Sequence, residues 1–526
     1  MTRTSRTDPL KIAAVAVPAG GGWIGLTFCP GKCDLRAHNG PWERDLGTDL
    51  AAIRDWGAHA LVTLLEDHEI DLLQVRRLGA EAVALGLEWH HLPIPDMATP
   101  GWRFERRWVY SGLRLRRLLR RGGRVLVHCR AGLGRAGTLA ARLLAELGEP
   151  PAQAVARVRQ ARPGAIQTAD QERHALACRA IPLAQDEAVS PRLASLLGGA
   201  LGDAFGAPAA ADSLAVRRRH GTAGPRAAPR RQRGLAVSME TQLALFTLEG
   251  LTRAMQIPDQ SEHDLLAQVR LSYLDWLDCQ GLGQSEGGHA TRLLRHAVLH
   301  ARRSPDPAVV DALKAGVSGS PERPVNDCRD GGGALRAGAV ALMPDMDSER
   351  AFRLGARVTA LTHGHPAGYL PAGILAAAVL GVLEGKPLQT AMLQACGQAR
   401  AMPGHEPTLA VMRAAIDASI SPFQGALPAE LGSARDGASV LAAGFYAASR
   451  SRDFREVMAL AASQDGASLA AASVAGQLFG AAHGIEALPH DGVQGLDVLD
   501  ALCDLSDWSV PLWRRAGASP AGGRRV

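Results

Sequence analysis

The chain has 526 residues, 47% of them hydrophobic, which is enough for sizeable cores and long enough for two or three domains. Aromatic residues make up only 4%, so those cores must be built from Ala, Leu and Val. A formal net charge of +6, carried almost wholly by arginine, is far from a nucleic-acid binder's profile and leaves anionic substrates open.

In chain order, residues 1–19 read as an N-terminal tail without a signal-peptide layout. Residues 21–34 (GGWIGLTFCPGKCD) read as a strand ending in a Pro-Gly turn. Asp45 to Trp56 has helical spacing, and Ala60 to Leu65 is a buried strand ended by Glu66-Asp67-His68. The pattern then predicts a helix over Leu72–Leu87, a strand over Glu88–Leu92 and a Pro-bounded loop from Pro93 to Pro100. A helix follows over Phe104–Leu119, and most of its basic run Arg114, Arg116, Arg117, Arg120 and Arg121 reads as a solvated face. This alternation predicts a parallel or mixed sheet with helices on its faces.

The stretch Arg124–Leu147 carries chemistry. Val125-Leu126-Val127 is a short strand, followed by a glycine-punctuated loop and a helix. Cys129 and Arg135 stand in a Cys-x5-Arg arrangement between them. Inward-pointing backbone N–H groups and the positive end of a helix dipole both favour a thiolate at Cys129, the reactive form. Gly132 and Gly134 permit the tight backbone of an anion cradle. Arg135 offers a planar fork for two phosphate oxygens. Pro150 to Arg159 is a further helix, and Arg162 to Gln171 (RPGAIQTADQ) leads into another.

The loop VHCRAGLGRAG resembles the signature of the cysteine-dependent, dual-specificity protein phosphatases. With GLTFCPGK, LVTLLEDHE, HLPIPD and RPGAIQT, residues 20–185 are similar to the branch containing the cyclin-dependent-kinase-associated phosphatase. The resemblance implies Cys129 as nucleophile, Arg135 as phosphate clamp and Asp96 as general acid. It implies a phosphate cradle from the backbone of Arg130, Ala131, Gly132, Leu133 and Gly134, and a place for Gln171 beside the hydrolytic water. One departure is Ala136, where many relatives carry Ser or Thr to stabilise the departing thiolate; Thr138 comes two residues later.

Residues 186–192 read as a linker, and 209–235, rich in Arg, Ala, Gly and Pro, as a flexible exposed loop. Small residues at every third or fourth position in GGALGDAFGAP predict closely packed helices. From Ser238 onward the pattern is all-α, with 511–526 as a C-terminal tail. Leu370 to Leu383 is too short and too interrupted for a membrane span, so a buried helix and no membrane partner are expected. GGALGDAFGAP, ETQLALFTLEGL, LTHGHPAGYLPAGILAAAV and VAGQLFGAAHGIEALP resemble the ADP-ribosylglycohydrolases over residues 193–510. That family is helical and cleaves ADP-ribose from modified side chains with two magnesium ions. Magnesium requires oxygen ligands, and this chain has lost most of them. Ala209-Ala210 replace a glutamate, Ser238-Met239-Glu240-Thr241 replaces Thr-Asp-Asp-Thr, and Ala467-Ser468-Leu469-Ala470 replaces the late acidic motif, with Asp465 just before it. His363 and His365 remain.

The expectation is an α/β cysteine-phosphatase domain followed by an all-α ADP-ribosylglycohydrolase-like domain with eroded metal motifs. The first would hydrolyse phosphotyrosine, phosphoserine or phosphothreonine in proteins, or another phosphoester, through a phosphocysteine intermediate, with no metal and no cofactor. The second would be catalytically inactive and open to ADP-ribose or an ADP-ribosylated protein. The alternatives are an active ADP-ribosylglycohydrolase and a non-catalytic ADP-ribose-binding module. Eight cysteines, mostly scattered, fit a reducing, cytoplasmic setting better than a disulfide framework.

Overall fold

The apolar run Ala60–Thr63 is buried on both faces, as a central parallel strand must be. The computed structural model describes residues 2–18, 20–35, 37, 40–211, 235–283, 291–431, 436–463 and 468–516. Its backbone divides into two units, Met1–Asp186 and Glu187–Val526.

The first unit has strands β1 (Ala13–Ala16), β2 (Trp23–Thr27), β3 (Cys33–Asp34), β4 (Trp42–Glu43), β5 (Ala60–Thr63), β6 (Glu88–His91) and β7 (Arg124–His128). Five of them form one sheet in the order β1-β2-β7-β5-β6, with β1 antiparallel to β2 and the remaining pairs parallel. The helices are α1 (Leu46–Asp55), α2 (Asp67–Leu72), α3 (Leu78–Ala84), α4 (Trp102–Arg120), α5 (Gly134–Glu146), α6 (Pro151–Ala161) and α7 (Ala169–Ala177), and α8 (Leu183–Ala211) begins here and lies mostly in the second unit. One apolar cluster joins the sheet to α4, α5 and α6, and a second joins it to α1 and α3. The register sets Thr27, His128, Thr63 and His91 in a row across the C-terminal ends of four strands. Ligand sites of parallel sheets form beyond such ends.

Three expectations for this unit need correction. Residues 1–19 are not all tail, because Ala13–Ala16 adds an antiparallel edge strand whose Val15 is 4% exposed. The helix expected over Leu72–Leu87 is two short helices, broken at Gln74, which takes a left-handed φ of 60°. The first starts early because the Glu66 N–H donates to Glu69 Oε2 at 3.0 Å, closing a reciprocal cap. The α4 arginines are not all solvated. Arg114 pairs with Glu88 at 2.7 Å. Buried Arg116 pairs with Glu146 at 2.7 Å and with Asp186 at 2.8 Å. Charge spacing alone does not separate a wet face from a face that meets buried carboxylates.

The second unit is helical among the described residues, with only the isolated bridges Leu235–Leu496 and Asp330–Asp436. Its most apolar helix, Pro366–Leu383, is largely buried against Ser348–Ala360, Leu388–Ala399 and Gly437–Ala448. The close packing expected from small residues is present. A Cβ on Gly198 would lie 2.2 Å from the Gly476 carbonyl, and one on Gly476 would lie 2.0 Å from that of Gly198. The boundary between the units falls at Asp186, the start of the expected linker 186–192, but that segment is helical, part of α8, where Val189 and Ser190 are buried and Ser190 Oγ accepts the Ile485 N–H at 3.1 Å. Packing overrides the local composition there. The expected loop 209–235 begins inside α8, and residues 212–234 of it lie outside the described residues. The expected tail is helical up to Ala516, with Trp513 fully buried.

Replacing Arg116 by Ala leaves two buried carboxylates short of a partner. R116A is expected to lower unfolding stability by about 3 kcal/mol, read as an earlier urea midpoint with far-UV dichroism retained in buffer.

Candidate active site

Each predicted catalytic residue follows a parallel strand of the sheet. Cys129 comes directly after β7 and is 3% exposed. The loop from Arg130 to Leu133 carries the chain into α5, whose N-cap is Leu133. Gly132 has a φ of +69°, and a Cβ there would lie 2.2 Å from the Thr27 carbonyl oxygen, so only glycine fits. Among the described residues nothing accepts a hydrogen bond from the backbone N–H groups of Arg130, Ala131, Gly132 and Leu133. A run of unpaired donors at a helix N-terminus beside a buried cysteine is an anion site. The fifth expected member behaves differently: the Gly134 N–H donates to Gln167 Oε1 at 3.1 Å.

Arg135, in the first turn of α5, is 1% exposed. Its guanidinium donates to both oxygens of Glu69, at 2.5 and 2.8 Å, and to the Ile94 carbonyl at 2.9 Å. Glu69 is a member of this cluster that the sequence reading missed. Burial opposes its ionisation, but the hydrogen bonds from Arg135 and from the Glu66 N–H win and hold its carboxyl below the usual range. The signal was present in the LLEDHE segment, but it needed the position of α2 to be read.

Asp96 lies in the loop after β6, and its Oδ1 stands 3.1 Å from Arg135 Nη2. The structure therefore brings Cys129, Arg135 and Asp96 to one site. Asp96 is 57% exposed and also accepts the Met97 N–H at 3.0 Å. A phosphoryl group on the cradle would compete with it for Arg135 Nη2, which leaves Asp96 free to face a leaving oxygen.

His128 Nε2 lies 2.8 Å from Thr63 Oγ1, which also accepts the Trp89 indole N–H at 2.9 Å. Burial pulls the imidazole down to about 3, so it is neutral at ordinary pH and braces the strand end without acting as a base. Thr138 does not replace the hydroxyl absent at Ala136, because its Oγ1 donates to the Gly134 carbonyl at 2.9 Å. Gln171 packs against the cradle from inside: a Cβ on Gly134 would lie 2.9 Å from its Oε1. It is fully buried, its Oε1 accepts the Gln167 N–H at 2.9 Å, and its Nε2 donates to the Ala98 carbonyl at 3.2 Å. It ties α7 to the Asp96 loop, while the exposed carboxamide at the cradle belongs to Gln167.

In the second unit the residues at the expected magnesium motifs hold one another. Asp203 Oδ2 accepts the Ser238 N–H at 2.9 Å, the Ser238 hydroxyl at 3.0 Å and the Thr241 hydroxyl. Glu240 Oε2 takes Arg336 Nη2 at 3.0 Å, and Met239 Sδ accepts the Asp306 N–H at 3.0 Å. Among the described residues of this unit no three His, Cys, Asp or Glu side chains converge as a ligand set. This donor set does not fit a pair of hard cations. Asp465 lies outside the described residues. Burial pushes Asp203 up to about 6 against those hydrogen bonds, and its Oδ1 has no partner. His363, fully buried, is pulled down to about 3 by burial and the nearby Arg336, and its Nδ1 lies 2.9 Å from Thr362 Oγ1.

Residues 184–519 match the family model described as ADP-ribosylglycohydrolase. Residues 39–149 match one described as a DSP-PTPase phosphatase of polymorphic toxin systems. Among solved structures, a kinase-associated phosphatase with a serine in place of its catalytic-site cysteine is 25% identical, covering 32% of this chain and 92% of its own, with a TM-score of 0.28. The active form of Tk-PTP is 25% identical over 32% of this chain and 93% of its own, with a TM-score of 0.24. An ADP-ribosylglycohydrolase-related protein complex is 22% identical over 63% of this chain and 99% of that one, with a TM-score of 0.42.

A carboxyl whose pKa is raised on folding adds stability below its ordinary value of 3.8, and that stability is lost as pH rises through about 6. D203N removes the charge and keeps an acceptor. Its melting temperature relative to the unsubstituted chain is therefore expected to be higher at pH 8 than at pH 5, by on the order of a few degrees in a thermal scan.

Proposed function

Because the chain belongs to the ADP-ribosylglycohydrolase family and carries a DSP-PTPase-type unit ahead of that region, we propose that its chemistry resides in the first unit, as a cysteine-dependent phosphatase acting on phosphorylated protein side chains. The observation that supports this most is the set of unpaired N–H groups from Arg130 to Leu133 around buried Cys129, beside an Arg135 fixed by Glu69. In the first step Cys129 Sγ attacks phosphorus. A P–S bond forms, the P–O ester bond breaks, and the leaving oxygen takes a proton from Asp96. In the second step Asp96 accepts a proton from water as that water attacks the phosphocysteine, releasing phosphate and the thiolate. Arg135 and the cradle N–H groups hold the phosphoryl oxygens through both. No metal takes part. Cys129 must stay reduced, which fits a cytoplasmic setting.

For the second unit we read a non-hydrolytic domain that binds ADP-ribose or an ADP-ribosylated protein. Family membership favours the ligand, and the mutual bonding of Asp203, Ser238, Thr241, Glu240 and Arg336 disfavours metal-dependent cleavage.

Release of phosphate from an aryl phosphate tests the first reading. C129S is expected to fall to background, and D96N to lose roughly 100-fold in kcat with little change in KM. A C129S rate equal to that of the unsubstituted chain would sink the proposal. E69Q keeps the shape but loses the charge that anchors Arg135, so kcat/KM is expected to drop roughly 10–100-fold while Cys129 still reacts with iodoacetamide.

A further inference from the structure

The cradle depends on which way each peptide faces, and the loop itself does not determine this. A trans peptide is planar, so the carbonyl of one residue and the N–H of the next point in opposite directions. Fixing a carbonyl on the outside of the loop therefore turns the following N–H inward. Three successive carbonyls of the loop are fixed in this way. The Arg130 carbonyl accepts the Cys29 N–H at 3.3 Å. The Ala131 carbonyl accepts Arg162 Nη2 at 3.2 Å, and the Gly132 carbonyl accepts Arg162 Nε at 3.3 Å. The N–H groups that follow them, of Ala131, Gly132 and Leu133, are three of the four loop N–H groups without an acceptor among the described residues.

We propose that Arg162 is a positioning residue of the phosphate site: a second arginine that grips two adjacent carbonyls from outside the loop, aims the Gly132 and Leu133 N–H groups at the oxyanion and never touches it. The fork is suited to this task, because two donors on one rigid plane hold two neighbouring peptides in a common orientation. Gly132, with its left-handed φ of +69°, is where the peptide flips most readily without such a hold. Arg162 sits at the C-terminal end of α6. Its neighbour Arg159 donates to the Ala165 carbonyl at 3.3 Å and to the Ile166 carbonyl at 3.2 Å. The turn that leads from Arg162 to Gln167 is thus held by one arginine while the other holds the cradle. The Arg162 guanidinium also adds positive charge beside the loop.

This inference rests on reading the loop as a phosphate cradle, and the test separates the two. Tungstate binding is measured by calorimetry at constant ionic strength on C129S, C129S/R162A and C129S/R162K. R162A is expected to weaken binding about tenfold, the loss of roughly one charge-assisted hydrogen bond's orientation. R162K keeps the charge but grips one carbonyl at most, so it is expected to fall between the two. In the Cys129 background the same substitutions are expected to lower kcat/KM for an aryl phosphate in the same order. Tungstate affinity of C129S/R162A within twofold of C129S would overturn the proposal. If R162A melts below the assay temperature, R162K decides: weaker tungstate binding supports the role and unchanged binding removes it. Absence of tungstate binding to C129S itself would remove the cradle reading, and this inference with it.

Discussion

A guanidinium buried to 1% exposure has to be neutralised and hydrogen-bonded, and the site is arranged around meeting that demand for Arg135. Glu69 supplies the charge and both acceptors, the Ile94 carbonyl supplies another, and Asp96 approaches the remaining edge. Meeting these contacts fixes three segments at once. It draws α2 in after β5, sets the start of the Asp96 loop after β6, and orients the first turn of α5 after β7. The short α2, its reciprocal cap through Glu66 and the break at Gln74 are local consequences of placing one carboxylate against one arginine.

Around that anchor the chemistry is divided between charge and backbone. Arg135 supplies a fixed positive fork, and the loop supplies donors whose direction is set from outside by Cys29 and Arg162. Neither depends on a titrating group near neutrality, since His128 is held neutral by burial. The missing hydroxyl at Ala136 is not restored by Thr138, which is bonded within its own helix, so in the proposed mechanism the departing thiolate would be left to the backbone donors and Arg135. The second unit shows the reverse pattern. Apart from Asp203 Oδ1, its polar groups at the motif positions are largely engaged with one another and with Arg336, and no three carboxylates converge among the described residues of this unit.

Much of the first unit was legible because its signals are local. Cys129, Arg135 and the flanking strand and helix lie within one short stretch, and the glycines that shape the loop stand between them. Asp96 was legible only through the resemblance, since an aspartate in a Pro-bounded loop carries no direction of its own. Glu69 and Arg162 were not assigned, because each acts across a gap that only the sheet order closes. The place beside the hydrolytic water comes to Gln171 from the resemblance alone; the cap it makes with Thr168 and the bond to Ala98 bury it. Arg116 and the 186–192 segment were misread for a common reason. Charge and composition report average exposure, and both segments meet specific partners, Glu146 and Asp186 in one case and Ile485 in the other. In the helical unit the small-residue spacing was a sound guide, because contact between Gly198 and Gly476 is a steric requirement that sequence spacing expresses directly.

The central claim is that Cys129 carries the phosphoryl group in a covalent intermediate. The most direct measurement is acid quenching during turnover of an aryl phosphate, followed by peptide mass spectrometry. The account predicts a phosphate on the peptide containing Cys129, more labile in mild acid than at alkaline pH as an S-linked phosphate is, absent in C129S and more abundant in D96N relative to turnover. Sustained phosphate release with Cys129 unmodified at every quench time, or a phosphate carried by a different side chain, would contradict it.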